Sequence, residues 1–222
     1  MFKRFLFVNV IFLFSLFVCL GCSDSILDVI LSKSSVVFSY DDYNVQPSVR
    51  LATFIETSSD PRRVESFSVE SLKENITWNI DDPVIYSESN RKFVGYTNFV
   101  TPKGMKIPTG SYKIVYTDAQ YRTVECFSYV SYPEELLKLN SVEAENFIGK
   151  NVRENIVVYN SNNEIVYFGE RKKNWSNDES IFNSNKDYEK YRRCINMMDD
   201  SVICLMPIIT KESLSNSNIN VN

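Results

Sequence analysis

The chain has 222 residues, 24 Lys and Arg against 28 Asp and Glu, and a formal net charge of −4. It contains no histidine, which removes the Ser-His-Asp and Cys-His proton-transfer systems and the commonest zinc ligand sets. An acidic chain without a block of Lys and Arg is a poor match for nucleic acid, whose phosphates demand clustered cations. With 15 Phe, 13 Tyr and 2 Trp it can build a packed core.

Lys3 and Arg4 precede an apolar run from Phe5 to Leu20, broken by Asn9 and Ser15, and Gly21-Cys22-Ser23 closes it. That run has the length of a secretory signal and is short for a membrane-spanning helix. Cys19-Leu20-Gly21-Cys22 resembles the lipobox of bacterial lipoproteins, of the spirochaete type. Cys19 stands where that family usually has Leu, and Leu20 where it usually has a small residue. The resemblance implies a signal peptide over 1–21, cleavage after Gly21, a lipid on Cys22 and attachment to the cell membrane or outer membrane. The attached chain would face the periplasm or the exterior. Ordinary secretion would cut the same bond and leave Cys22 bare. A redox pair of Cys19 and Cys22 fits poorly, because Cys19 lies inside the apolar run. The resemblance covers only about the first tenth of the chain and concerns location, not activity.

Loss of residues 1–21 removes Lys3 and Arg4, leaving 222 − 21 = 201 residues with 24 − 2 = 22 basic and 28 acidic groups, a net charge near −6. That length fits one large domain or two small ones. Residues 22–33 read as a tether or short helix, with Ile26, Leu27, Ile30 and Leu31 at helical spacing.

A series of strands is predicted next, starting with Val36 to Tyr40. In Val49 to Glu56, the residues Val49, Leu51, Thr53 and Ile55 alternate with Arg50, Ala52, Phe54 and Glu56. Val64 to Val69, Ile76 to Ile80, Val84 to Tyr86 and Lys92 to Val100 continue the series. The clearest hairpin places Tyr112, Ile114 and Tyr116 on one face of Ser111–Thr117, turns at Asp118-Ala119-Gln120, and returns over Arg122–Val130. Seven or so short strands with turns between them suggest an antiparallel β-sandwich over 34–132, immunoglobulin-like in architecture but without the Cys-Trp-Cys spacing of true immunoglobulin domains.

From Pro133 the pattern becomes α+β, over 133–210. Pro133-Glu134-Glu135 opens a helix, Asn140 caps a second, and Gly149 stops it. Asn155–Tyr159 and Glu164–Phe168 flank a turn. Asp187–Met198 reads as a helix with Tyr188, Tyr191, Ile195 and Met198 on one stripe. Val202–Ile209 is a strand that Pro207 confines to an edge or an end. Residues 211–222 form a polar tail expected to be disordered.

An exported compartment permits disulfides, and Cys194 and Cys204, close in sequence, are the expected pair, leaving Cys126 free. The alternative is three reduced, buried thiols. Asp41-Asp42, Asp81-Asp82 and Asp199-Asp200 read as turn chemistry, since neighbouring strand residues point to opposite faces. No ligand set for a metal and no cofactor motif stands out. Arg171, Lys172, Lys173 and Trp175 form the one basic-aromatic cluster, a candidate contact for an anion, a glycan or an acidic partner, or simply a solvated loop.

Two functions follow. One is a lipid-anchored, non-catalytic binding or structural module of the cell envelope, meeting a protein or glycan. The other is an exported hydrolase of cell-wall or sugar polymers, which needs two carboxylates brought together from distant strands.

Overall fold

The computed structural model describes residues 26–214. The expected signal peptide, cleavage site at Gly21 and lipid site at Cys22 fall outside these residues, as do residues 215–222. Among the described residues no helix is long and apolar enough to cross a membrane.

The fold is mainly β, with thirteen strands in two sheets among the described residues. The first half of the chain supplies β1 (Val29–Ser39), β2 (Ser48–Thr57), β3 (Val64–Ser71), β4 (Ile76–Ile80), β5 (Val84–Glu88), β6 (Arg91–Phe99), β7 (Gly110–Asp118) and β8 (Thr123–Val130). The second half supplies α1 (Ser141–Ile148), β9 (Val152–Tyr159), β10 (Ile165–Gly169), α2 (Asp178–Asn183), β11 (Lys190–Met197), β12 (Val202–Leu205) and β13 (Ile209–Thr210).

The smaller sheet runs β4-β3-β7-β8 and is antiparallel throughout. The larger runs β10-β9-β11-β12-β1-β2-β6-β5, with β13 also on β11. Its strands are antiparallel except where β1 lies parallel to β12, Val36 beside Val202 and Phe38 beside Cys204. The chain therefore joins its two halves in one sheet, and the change of pattern near Tyr132 is not a boundary between cores. One face of the larger sheet, with Val36, Phe38, Leu51, Ile55, Ile195 and Cys204, packs against Phe67, Val69, Ile114 and Tyr116 of the smaller. Each such fully buried side chain contributes about 1.5–3 kcal/mol of transfer free energy. The mainly β content and the two sheets agree with the expected class. The immunoglobulin likeness does not extend to the strand order, because that architecture pairs two antiparallel sheets and the larger sheet here is mixed, drawn from both halves, and curled into a half-barrel.

Where β1 crosses β8, hydroxyls satisfy one another: Ser34 Oγ lies 3.0 Å from Thr53 Oγ1 and 2.8 Å from Ser128 Oγ. The long connection from β6 to β7 is pinned by buried tyrosines. Tyr112 donates to Pro108 O and Tyr132 to Ile107 O, both at 2.7 Å.

Four elements differ from expectation. Asp187–Met198 is not a helix; its main part is β11, paired with β9 on one side and β12 on the other. A strand buried on both faces loses its polar alternation, so its apolar residues fall at spacings that mimic a helix. Tyr191 and Arg192 are both buried, as are Cys194 and Ile195. The tether region is recruited into the sheet from Val29 onward, where Ser32–Ser35 pair with Ala52–Ile55 of β2. Residues 211–214 are helical rather than disordered, and Leu214 packs on the second core. Other local signals held. Asn140 caps α1 through a reciprocal bond pair with Glu143, and Gly149 ends it at φ 75°. The expected helix after Pro133 shrinks to a 3₁₀ turn, Glu134–Leu137.

Candidate functional site

The curl of the larger sheet makes a groove on the face turned away from the main core. Alternation decides which residues line it. On β2, Leu51, Thr53 and Ile55 go to the core, so Arg50, Ala52 and Phe54 face the groove. On β1 they meet Lys33, Ser35 and Val37, their cross-strand partners. Ile203 and Leu205 of β12 and Cys194 and Asn196 of β11 extend the floor. The two edge strands close the sides: Tyr86 and Glu88 of β5 and Phe168 of β10 line the same cavity, of about 440 Å³. Gly95 of β6 allows this packing. A Cβ there would overlap Thr53 O and Phe54 Cα, so only glycine lets β2 and the Phe54 ring lie this close to β6.

The acids of the groove are matched: Glu88 pairs with Lys33 at 3.9 Å, and Asp200 with Arg153. Arg50 also lines the groove and Arg192 lies near it, and neither pairs with a carboxylate among the described residues. Arg50 Nε donates to Thr97 O at 3.1 Å. Arg192, only 8 % exposed, donates from Nε to Met206 O at 2.9 Å and from Nη2 to Leu205 O, Tyr40 O and Ser39 Oγ. Burial lowers the Arg50 pKa from its ordinary value and the like charge of Arg192 adds to this, only partly offset by Tyr159.

A second cavity, of about 450 Å³, is polar. Tyr43, Glu145 of α1, Glu154 of β9, Asp178 of α2, and Tyr191 and Arg193 of β11 line it, with Arg171 at its edge. Arg193 clamps both glutamates. Its Nε and Nη2 reach Glu154 Oε1 and Oε2 at 2.9 Å, and Nη1 reaches Glu145 Oε2 at 3.0 Å. The hydrogen bonds from Glu154 and Glu145 push the Arg193 pKa up despite partial burial, which keeps the guanidinium charged. Burial, reinforced by the Asp178 carboxylate, raises the pKa values of Tyr191 and Tyr43, so both phenols stay neutral.

Of the expected basic-aromatic cluster, Arg171, Lys172 and Trp175 are in contact, but the Trp175 ring is buried. Trp175 is a core residue, 2 % exposed, packed with Ile156, Val158, Ile181 and Tyr188 in a smaller second core. Its ring is not offered at a surface. Lys172 lies over it, with Nζ 4.8 Å from the Trp175 centroid and 4.6 Å from that of Tyr167. Arg171 turns to the polar cavity, pairs with Asp178 at 3.4 Å and donates to Trp175 O at 3.1 Å. Lys173 is exposed.

The expected Cys194–Cys204 bridge is not formed; Cys126, Cys194 and Cys204 are free thiols. Cys194 is opposite Leu205 and Cys204 opposite Ile195, so the two point to opposite faces of one sheet. Burial raises their pKa values, to about 11 for Cys194 and about 12 for Cys204. The three Asp-Asp pairs lie in turns; Asp42 Oδ1 accepts from Asn44 N and Asp199 Oδ1 from Ser201 N. Among the described residues no three acid or cysteine side chains gather as metal ligands.

Sequence reasoning missed the groove, although one half of its signal was visible as the Arg50, Ala52 and Phe54 face of β2. No protein-family model matches this chain, and no curated protein matches it in sequence.

Proposed function

We propose that this chain is a non-catalytic binding module of the bacterial cell envelope, anchored by a lipid on Cys22 in the cell membrane or outer membrane and facing the periplasm or the exterior. Its binding site is the groove of the larger sheet. One observation carries this reading: the groove has an apolar floor, and both of its acids are spent in ion pairs with Lys33 and Arg153. Such a lining holds a ligand but leaves no free carboxylate to move a proton. Its volume suits a small molecule or an extended piece of a partner rather than a folded surface. The net negative charge argues against nucleic acid.

The polar cavity favours the second reading, a carboxylate-dependent hydrolase of cell-wall or sugar polymers, because Glu145, Glu154 and Asp178 all line it. Against it, both glutamates spend both oxygens on Arg193. The test is to incubate the purified full chain with peptidoglycan and with soluble glycans and count reducing ends. The binding module releases none above the blank. Release that disappears in Glu145→Gln or Glu154→Gln makes the chain a hydrolase instead.

A further inference from the structure

The groove joins apolar surface to charge. Two ion pairs line it, Lys33 with Glu88 and Arg153 with Asp200. It also presents Arg50, whose Nε donates to Thr97 O and whose terminal nitrogens have no acceptor among the described residues. Arg192 stands near Arg50 as a second positive charge, held by carbonyls rather than by an acid. Val37, Phe54, Phe168, Cys194, Ile203 and Leu205 supply apolar surface.

Resting on the binding reading above, we propose that the groove takes a single-chain amphiphile with one anionic head group, the head at Arg50 and the tail against the apolar side chains of the floor. Charge complementarity selects the head. A half-buried guanidinium beside a like charge is stabilised by an incoming anion, and a carboxylate or phosphate matches its fork. The floor selects the tail, because Val37, Ala52, Phe54, Ile203 and Leu205 offer it apolar surface.

The test is photolabelling of the full chain in phosphatidylcholine vesicles with two diazirine-bearing probes of equal length, a long-chain fatty acid and the corresponding alcohol. Labelled peptides are mapped after digestion. The acid should label β1, β2, β11 and β12 on their groove side. Arg50→Gln should cut that labelling about tenfold, the size of one lost charge-assisted hydrogen bond, and leave labelling by the alcohol unchanged. Ala52→Trp, which fills the floor, should abolish labelling by both. A lysophosphatidic acid competitor that displaces the acid probe would mark a phosphate head as accepted too. Equal labelling by acid and alcohol, or no effect of Arg50→Gln, overturns the head-group assignment. Labelling confined to the exposed Phe127 and Tyr129 of β8, or unaffected by Ala52→Trp, overturns the site. A chain that neither cleaves polymers nor labels in the groove loses this ligand class and keeps the binding reading, so the two can fail separately.

Discussion

Cys194 and Cys204 sit on adjacent strands but on opposite sides of the sheet, Cys194 in the groove and Cys204 in the core. A disulfide needs both Cβ vectors to converge, and alternation along β11 and β12 sends these two apart. Burial also keeps them protonated at neutral pH, and the thiolate is the reactive form. In the native protein at pH 8, iodoacetamide should therefore leave both unmodified, and denaturation should expose both. A Cys194–Cys204 peptide in non-reducing mapping of exported material would refute the arrangement.

Asp118 is the buried acid of the β7–β8 turn. Burial alone would raise its pKa, but Arg122 donates from Nε at 2.9 Å and Nη2 at 2.7 Å, and the amides of Arg122 and Gln120 add 3.0 and 2.9 Å bonds. Together these outweigh burial and hold the pKa below its ordinary 3.8. A carboxyl with a depressed folded pKa stabilises the fold above its unfolded value, and that stability is lost as pH falls through the folded value. Denaturant midpoints measured from pH 7 down to pH 2 should thus fall below about pH 4, and the fall should be shallower in Asp118→Asn. Asp118→Ala should cost about 2–4 kcal/mol at pH 7, since it removes the buried carboxylate that accepts from a guanidinium and two amides.

Gly95→Ala tests the close approach of β2 and β6. The new methyl would meet backbone at Thr53 and Phe54, which cannot yield as a flexible side chain does. A loss of about 3 kcal/mol or more follows, read as a lower midpoint in urea. Gly104→Ala is the control for size alone: a Cβ there meets nothing within 4 Å, and its φ of 87° should give only the smaller penalty of a strained backbone.

The anchor is tested at Cys22. Cys22→Ala should move the chain from the membrane fraction to the soluble one, or leave it uncleaved with its apolar leader; growth with labelled palmitate should mark the wild type only. A wild-type chain that takes up no palmitate after cleavage at Gly21 would make it an ordinary secreted protein.

Much of the local structure was legible in the chain. Alternation in Ser48–Thr57 and Gly110–Asp118 marked strands with one buried face, as found. Asp118 announced the turn that it does bond, and Asn140 with Gly149 bracketed α1. These features depend on neighbours within a few residues, where side-chain chemistry acts directly on the backbone. The same holds for the hairpin of β9 and β10, whose Asn160 side chain accepts from the Asn162 and Glu164 amides.

Only the tertiary structure decided the rest. β11 became a strand because β9 and β12 flank it and both of its faces are covered, which erased the alternation that would have announced it. The parallel pairing of β1 with β12 drew the start and end of the chain into one sheet, and no local pattern records which distant strand a strand will join. The groove follows from that pairing. Arg50 and Arg192 are each unremarkable in sequence. They become neighbouring positive charges beside the cleft only because the strand order brings β2 and β11 into one curled sheet.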